Sequence, residues 1–388
     1  MLSTGAPTLN PFKNNRFGRK LHVRLKAAAV LLAITSCAPT SQSGTCGRPD
    51  LAFGGDVLLH NLIQSDAAAR AEGFAPAFAP LGGALSRALV TSVNLEGPAA
   101  RNIAPSGREV SDPGTLFDGH IYSGYPRFNY HPSIAGVLAS VGVDVVQTAN
   151  NHAMDRGAIG ADRTLSALAA AGLATTGTHP RGATATWHTT RQVAGYNIAF
   201  LACTFSTNGL ADPGAQALLC YGNQPSIPTL IHTLNTQQGI DGVVLLPHWG
   251  TEYSARPTAR QRTLARAAAE AGAIAIVGAH PHVLQPLETI VTSDGRRVPV
   301  AFSLGNLISS QWQLAQRTGA ILYLDLSTTA QGLEATGARY LPTRVERTTE
   351  QGVAVFPAAS LATGAASLAH AQRILGPGMV TPDGCLAP

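Results

Sequence analysis

Short apolar runs alternate with amphipathic segments along most of the chain from residue 50 onward. The apolar runs, several of them rich in Val and Ile, predict buried strands. Residues 258–271 predict a helix, because Leu264, Ala268 and Ala271 recur at spacings of four and three and form one apolar face. The predicted strands are 51–53, 92–95, 143–148, 198–204, 242–246, 274–277, 300–303 and 321–326, and the predicted helices are 132–141, 161–171, 229–237 and 258–271.

This alternation predicts an α/β domain whose sheets are covered by helices. The later apolar runs are closely spaced with fewer helices between them, so we expect them to add antiparallel strands. Residues 98–130 are rich in Gly, Pro and polar side chains and predict a long loop near the functional site. Residues 351–388, rich in Ala, Ser and Gly at first, are interpreted as a C-terminal appendage.

Positive charge is concentrated at the N-terminus of the chain. Residues 1–36 contain six basic residues and no acidic one, whereas the remainder has 21 basic against 22 acidic residues. No basic patch of the kind that binds nucleic acid is left in the body of the chain, so we expect no nucleic-acid partner. All three lysines lie in this first segment, which excludes a lysine-based Schiff base or phosphate-binding loop elsewhere.

The same N-terminal segment has the pattern of an export signal. A basic stretch, 20–26, precedes the apolar run 27–34, which is far shorter than the roughly 20 residues that span a bilayer. The following residues, 34–37, resemble the bacterial lipobox, in which Cys37 is lipidated; ordinary signal cleavage with Cys37 incidental is the alternative. We therefore expect an exported lipoprotein, anchored in a membrane and facing the periplasm or the cell exterior. Its predicted segments are a signal peptide at 1–36, a lipidated tether at 37–49, a main domain at 50–350 and the appendage at 351–388.

Four further cysteines suggest disulfide bridges, because the expected compartment is oxidising. We expect Cys203 to pair with Cys220 across a local loop, and Cys46 to pair with Cys385 and join the two ends of the domain. No CxxC motif occurs, which argues against a zinc site made of thiolates.

Polar residues that could bind a metal follow strand after strand. Open α/β folds bind ligands at the carboxyl ends of their strands, so these side chains are expected to converge. Imidazole, carboxylate and amide oxygen ligands around one point suit Zn²⁺, Mn²⁺ or iron. The residues are Asp56 after the first strand, Asn94 and Glu96 after the second, Asn150, Asn151 and His152 after the third, then His248, His280 with His282, and Asn306.

These residues lie in six ordered motifs, which include Gly55-Asp56, Asn94-Leu95-Glu96, Asn150-Asn151-His152, His248-Trp249-Gly250-Thr251-Glu252, Gly278-Ala279-His280-Pro281-His282 and Ser303-Leu304-Gly305-Asn306. Their order and spacing over about residues 50 to 330 closely resemble the CapA family of capsule and poly-γ-glutamate synthesis. More distantly, the pattern resembles the calcineurin-like metallophosphatases. The resemblance implies a four-layer αββα sandwich of two mixed sheets flanked by helices, with a binuclear metal centre at its edge.

The resemblance also implies roles for individual residues. Asp56 and His282 would bind one divalent cation, while Asn151, His248 and His280 would bind a second, with Glu96 bridging the two. His152 would contact the substrate and protonate the leaving group. Asn94, Asn150, Glu252 and Asn306 would orient ligands or substrate. Asp155 with Gly157 is expected to shape the turn after His152.

Two departures from the phosphatase pattern affect the expected metal count. That pattern begins Asp-x-His, whereas Asp56 is followed by Val57 and Leu58, and His60 is expected to point elsewhere. The bridging position also carries Glu96 instead of the usual Asp. The first metal position is therefore predicted to be one ligand short, so the centre would hold one or two ions among Mn²⁺, Zn²⁺ and iron.

Two functions fit these residues. One is a metal-dependent hydrolase that acts on a phosphoester or on an amide of an exported polymer. The other is a non-catalytic component of capsule or poly-γ-glutamate synthesis or export, whose metal site binds an anionic polymer. Both predict a metal site and a membrane-anchored location at the cell surface, and a capsule-synthesis membrane complex is a candidate partner.

Overall fold

The computed structural model describes residues 47–222 and 225–385, which belong to one compact unit, Gly44–Pro388. Its strands are β1 (Leu51–Val57), β2 (Val90–Leu95), β3 (Val145–Gln147), β4 (Ala174–Thr176), β5 (His188–Val193), β6 (Tyr196–Thr204), β7 (Gly242–His248), β8 (Ala273–Val277), β9 (Leu284–Val291), β10 (Arg297–Leu304), β11 (Asn306–Ile308), β12 (Thr318–Thr329), β13 (Gly332–Thr348) and β14 (Gly352–Pro357). Its α-helices are α1 (Asn61–Ala68), α2 (Ala75–Phe78), α3 (Ser133–Ser140), α4 (Gly157–Ala170), α5 (Ile227–Thr236), α6 (Ala259–Glu270), α7 (Leu314–Arg317) and α8 (Ala365–Leu375), and short 3-10 helices occupy Ala79–Leu81 and Ala358–Ser360.

The strands form two mixed sheets. The first has the order β14-β13-β12-β1-β2-β3-β4, with β11 paired to β1. Its β1, β2, β3 and β4 are parallel, and β12, β13 and β14 are antiparallel. The second sheet has the order β5-β6-β7-β8-β10-β9, in which β6, β7, β8 and β10 are parallel and both edge strands are antiparallel. The neighbouring parallel strands of each sheet bring several carboxyl ends to the same edge.

The two sheets face each other across a shared apolar core. Phe53 of the first sheet and Phe200, Leu246 and Ile274 of the second belong to this core. Each fully buried side chain of this size contributes about 1.5–3 kcal/mol by leaving water. On the outer face of the first sheet, α1 and α3 pack in a second core, and α5 and α6 cover the outer face of the second sheet in a third. The predicted four-layer sandwich of two mixed sheets flanked by helices is confirmed.

Each predicted strand and helix overlaps an observed one, but the C-terminal region differs from the prediction. The segment interpreted as an appendage begins with β14, which pairs with β13 at the edge of the first sheet. Helix α8 then packs against β9, β12 and β13. Val353, Ala354 and Val355 are all buried, so this strand belongs to the sheet and not to a separate appendage.

A long loop, residues 98–130, lies beside the carboxyl edge of the first sheet and is organised by one buried arginine. The Arg156 guanidinium donates hydrogen bonds to the carbonyl oxygens of Ile103 at 3.1 Å and Arg127 at 3.3 Å, and to the Ser123 hydroxyl at 2.7 Å. One side chain thereby links backbone groups at separate points of the loop. Within the described part of the chain, no helix has the length and apolar character needed to cross a membrane.

Candidate metal centre

Polar residues at the ends of β1, β2 and β11 lie side by side, because the three strands are parallel neighbours. Asp56 is in register with Asn94 on one side and with Asn306 on the other. The Asn94 side-chain amide donates to Asp56 Oδ1 at 2.7 Å. A Cβ at Gly55 would overlap the Gly305 carbonyl oxygen, which accepts the Asp56 N–H at 3.0 Å. Glycine at this position therefore allows the strands to approach closely enough to place Asp56.

The second sheet contributes three histidines to the same edge. His248 ends β7, and His280 and His282 lie in the turn between β8 and β9. The His280 backbone N–H donates to Asp56 Oδ2 at 3.2 Å, and His282 Nδ1 lies 3.2 Å from the same oxygen. His248 Nδ1 lies 3.2 Å from the Asn94 amide nitrogen. The two sheets thus meet at one polar cluster.

The predicted ligands form overlapping groups that are small enough to hold a metal ion. In each group, one candidate ligand atom per residue lies within 4.8 Å of the others. Glu96 belongs to two of the groups. The groups are Asp56 with Glu96 and His282, Glu96 with His248 and His280, and Glu252 with His280 and His282.

Several buried polar atoms of this cluster have no hydrogen-bond partner among the described residues. They include both carboxylate oxygens of Glu96 and Nδ1 of His280. Glu96 is completely buried and His280 is 3% exposed. Burial of such groups without partners is costly, and a bound cation would satisfy them. The donor set of carboxylates and imidazoles therefore fits a divalent metal ion.

The electrostatics of the cluster depend on burial and on the two nearby carboxylates. Burial raises the pKa of Glu96 well above its usual range. For Asp56, burial alone would raise the pKa, but the hydrogen bond and charge of His282 lower it below the usual value. The pKa of His282 is raised to about 9, because the attraction of Glu96 and Asp56 outweighs the effect of burial. A cation bound at His282 would take the place of this proton, because neutral imidazole is the form that binds a metal ion.

The other two histidines of the cluster are neutral. Burial lowers the pKa of His248 to about 3, and burial together with the charge of neighbouring histidines lowers the pKa of His280 to about 2. Neutral imidazole is the form that binds a metal ion.

The turn after β3 contributes amide side chains to the cluster. Asn151 Oδ1 lies 2.8 Å from His248 Nε2. The Asn150 amide donates to the Leu95 carbonyl at 2.8 Å and to Asn94 Oδ1 at 3.2 Å. Asn151 is therefore placed among the candidate ligands, whereas Asn150 holds the end of β2 that carries Glu96.

His152 is buried against the long loop. Its Nδ1 lies 2.7 Å from Asp155 Oδ2, which also accepts the Phe128 backbone N–H at 2.7 Å. The Phe128 ring meets the imidazole edge-on with centroids 4.7 Å apart. Sequence reasoning gave Asp155 only a role in the turn and missed this contact with His152. The His-x-x-Asp spacing was the one signal for it, since residues three apart in a turn can meet.

Asn306 holds the ring of His282. Its Oδ1 lies 3.0 Å from His282 Nδ1, and its amide donates to the His282 carbonyl at 3.2 Å and to the Gln316 carbonyl at 2.9 Å. His280 and His282 also have positive φ angles, 99° and 57°. For a side chain other than glycine this backbone conformation costs roughly 1–3 kcal/mol and is concentrated at functional sites.

His60 is absent from all three candidate metal groups of the described residues. Its Nδ1 accepts the Ser310 backbone N–H at 3.4 Å, and its ring packs edge-on against Phe128 with centroids 5.5 Å apart. Val57 and Leu58, which follow Asp56, are buried apolar residues. No imidazole from this segment therefore joins Asp56.

The predicted cysteine sites are covered only in part by the described residues. Cys203 and Cys220 form a disulfide bridge next to the end of β6. Cys37 and Cys46 lie outside the described residues, so lipidation and the pairing of Cys46 with Cys385 stay predictions.

Comparison with known proteins points to a single family. Residues 50–311 match the family described as bacterial capsule synthesis protein PGA_cap. The chain is 32% identical over 212 residues to the PGA biosynthesis protein CapA of Bacillus subtilis (strain 168), a match that covers 50% of each chain. It is 31% identical over 190 residues to the capsule biosynthesis protein CapA of Bacillus anthracis, covering 48% of this chain and 45% of that protein.

The chain thus spans about half the length of the two curated relatives that it matches. Among solved structures, the NAD nucleotidase NadN of Haemophilus influenzae aligns with a TM-score of 0.45 at 14% identity, over 85% of this chain and 56% of that one. The family match covers well over half of the sequence and confirms the predicted resemblance. The chain belongs to the bacterial capsule synthesis protein family PGA_cap.

Proposed function

We propose that this chain is an exported lipoprotein of capsule or poly-γ-glutamate biosynthesis whose buried cluster is a metal-dependent hydrolase site. The observation that carries the proposal is Glu96, a completely buried carboxylate shared by two candidate metal groups, whose two oxygens lack hydrogen-bond partners among the described residues. The family match and the names of the two Bacillus relatives support the biosynthetic context.

In this proposal each metal position draws on both sheets. Asp56, Glu96 and His282 hold one divalent cation, and Glu96, His248 and His280 hold another together with Asn151. When bound, such cations supply Lewis-acid polarisation of a phosphoryl or carbonyl oxygen of the substrate.

His152 is proposed to act as the general acid. Asp155 engages Nδ1, which fixes the rotation of the ring and leaves Nε2 as the nitrogen that faces the substrate. Burial lowers the pKa of His152, but the hydrogen bond and charge of Asp155 raise it above the usual value. The raised pKa favours the protonated imidazole, which is the form that donates a proton to the departing group.

A second candidate function is metal-dependent binding of an anionic polymer without turnover. The observation that favours it is the apolar pair Val57 and Leu58 at the position of the phosphatase histidine, which leaves three donors at the first metal position. A weaker first cation would reduce polarisation of the substrate while still attracting an anion.

Metal analysis and turnover separate these two functions. Purified protein is incubated with Mn²⁺, its metal content is measured by plasma mass spectrometry, and hydrolysis of bis(p-nitrophenyl) phosphate is followed. The hydrolase function predicts bound Mn²⁺ and turnover that His152→Ala lowers without loss of metal. Stoichiometric metal without turnover of this phosphoester or of poly-γ-glutamate would support the binding function, and protein without metal would overturn both.

The location of the protein has its own test. The full-length chain is expressed in a bacterial host, and membrane and soluble fractions are compared for Cys37→Ser and for Cys46→Ser as the matched control. Lipidation of Cys37 predicts that only Cys37→Ser moves the protein out of the membrane fraction. Equal membrane content in both variants would contradict the lipoprotein assignment.

A further inference from the structure

We propose that Glu252 is a metal ligand at the solvent-facing side of the centre and supplies the donor missing from the first metal position. The inference rests on the proposed function, because it assumes that the cluster binds divalent cations. It goes beyond the orienting role that the family resemblance implies for this residue.

Glu252 lies within reach of the two histidines that belong to different buried groups. One of its carboxylate oxygens and one nitrogen each of His280 and His282 lie within 4.8 Å of one another. His282 is also in the group with Asp56, and His280 has an unpartnered, buried Nδ1. A carboxylate with two imidazoles is a common ligand set of hydrolytic zinc sites. Glu252 is exposed, so its oxygens approach the cluster from the solvent side.

The backbone before Glu252 is held in place on the N-terminal side. Trp249 is buried, and its indole N–H donates to the Phe302 carbonyl at 2.9 Å. Gly250 has a φ of 98°, and a Cβ at this position would lie 2.8 Å from Oε1 of Gln261. The chain can therefore turn sharply against helix α6 at this point because the residue is glycine.

The backbone after Glu252 is tied directly to the segment that carries the histidines. The Tyr253 N–H donates to the Pro281 carbonyl at 2.7 Å, and Pro281 lies between His280 and His282. Tyr253 has a positive φ of 62°, and the following Ser254 carbonyl accepts a hydrogen bond from Gln285 at 2.8 Å. A strained residue held by such bonds fixes the neighbouring side chain relative to the two histidines.

The residues that follow Asp56 in the chain offer no further donor to the first metal position, so Glu252 is the candidate for this donor. Val57 and Leu58 have no donor atoms in their side chains, and the His60 ring packs against Phe128 with its Nδ1 facing Ser310. Within the described residues, Glu252 is the one carboxylate outside the pair Asp56 and Glu96 that shares a candidate metal group with His282. The carboxylate thus takes the place that imidazole holds in the phosphatase pattern.

The test compares Glu252→Gln with wild-type protein and with Glu288→Gln, a control that replaces a partly exposed carboxylate outside the candidate metal groups. Binding of Mn²⁺ is measured by isothermal titration calorimetry, and Co²⁺-loaded proteins are compared by their visible absorption, which reports on coordination. We expect Glu252→Gln to weaken binding of one cation at least about tenfold and to change the Co²⁺ spectrum, whereas Glu288→Gln matches wild type.

A third variant, Glu96→Gln, separates the two proposals. One outcome overturns the role of Glu252 and leaves the metal centre standing. In that outcome wild-type protein binds cations, Glu96→Gln does not bind them, and Glu252→Gln keeps the wild-type affinity and spectrum. If wild-type protein binds neither Mn²⁺ nor Co²⁺, the metal centre itself is overturned. Because Glu252 is exposed, the folding of its variant is checked by circular dichroism and is expected to match wild type.

Discussion

Nδ1 of His152 lies 2.7 Å from a carboxylate oxygen of Asp155, and the same oxygen receives the Phe128 backbone N–H. The Asp155 carboxylate is therefore shared between the proposed general acid and the long loop. Its effect on the imidazole is to fix the ring and to raise the pKa of His152 against the opposing effect of burial. A neutral amide in this position would keep the size of the side chain but lose the charge.

The first prediction concerns Asp155→Asn. We expect turnover of a phosphoester to fall about ten- to hundredfold, with metal content unchanged because Asp155 is in none of the candidate metal groups. A general acid must be protonated, so activity is lost as the pH rises through its pKa. Loss of the Asp155 charge lowers the pKa of His152, and activity is then lost at a lower pH. The pH–rate profile measures this shift, and Asp112→Asn, an exposed carboxylate in the long loop, is the control. Wild-type turnover and an unmoved profile would contradict the role.

The second prediction concerns Glu96→Gln and the stabilising effect of metal. A cation that binds only the folded protein raises its stability by about 4 kcal/mol at a thousand times its Kd. We expect Mn²⁺ to raise the thermal midpoint of wild-type protein and to leave that of Glu96→Gln nearly unchanged, because the shared carboxylate is lost. Differential scanning calorimetry with and without EDTA measures both midpoints. Glu334→Gln replaces another buried carboxylate, on β13, and should retain the full shift. A full shift in Glu96→Gln would exclude bridging.

The convergence of the candidate ligands could be predicted from sequence because each one follows an apolar run. Asp56 and His248 end strands that are buried along their whole length, and such runs are recognisable without knowledge of the fold. The carboxyl ends of parallel strands then meet at one edge. The departure at Val57 and Leu58 could also be recognised, since it depends only on the order of residues.

Other features depend on contacts that sequence patterns do not contain. Strand β5 is mostly half-buried at a sheet edge, so it has no apolar run to mark it. Strand β14 is short and leads directly into the Ala-, Ser- and Gly-rich segment that follows it, so the sequence pattern does not mark it as part of the first sheet. The position of Glu252 depends on the left-handed backbone of Tyr253 and its bond to Pro281, and the contact of Asp155 with His152 depends on how the turn closes.

The third prediction concerns Arg156→Met. The buried guanidinium donates to the backbone carbonyls of Ile103, Arg127 and His120, and its loss removes these links between separate points of the long loop. We expect the free energy of unfolding to fall by about 3 kcal/mol or more, together with faster proteolysis within residues 98–130. Urea unfolding and limited proteolysis measure the two effects. Arg163→Met removes an arginine of helix α4 whose side chain is 40% exposed, and it should cost less than about 1 kcal/mol. Equal stability of both variants would show that the loop is held by other contacts.

The last prediction concerns the double variant Cys203→Ala with Cys220→Ala. The bridge closes a loop with a sequence separation of 17 residues, so its removal is expected to lower the free energy of unfolding by about 3 kcal/mol. Metal affinity should stay within about threefold of wild type, a change below 1.4 kcal/mol. The ring centroid of Phe205 lies 4.5 Å from that of His280. The backbone N–H of Phe205 donates to the His248 carbonyl at 2.9 Å, so Phe205 is held in place without the bridge.

Urea unfolding without reductant and calorimetric titration with Mn²⁺ measure the two quantities on the same double variant. Alanine is chosen because both cysteines are buried and a serine hydroxyl would lack a partner there. A large loss of affinity with little loss of stability would contradict the prediction, because it would mean that the bridge positions His280 through Phe205. Loss of stability alone would show that the hydrogen bonds at the end of β6 keep the ligand in place when the covalent link is absent.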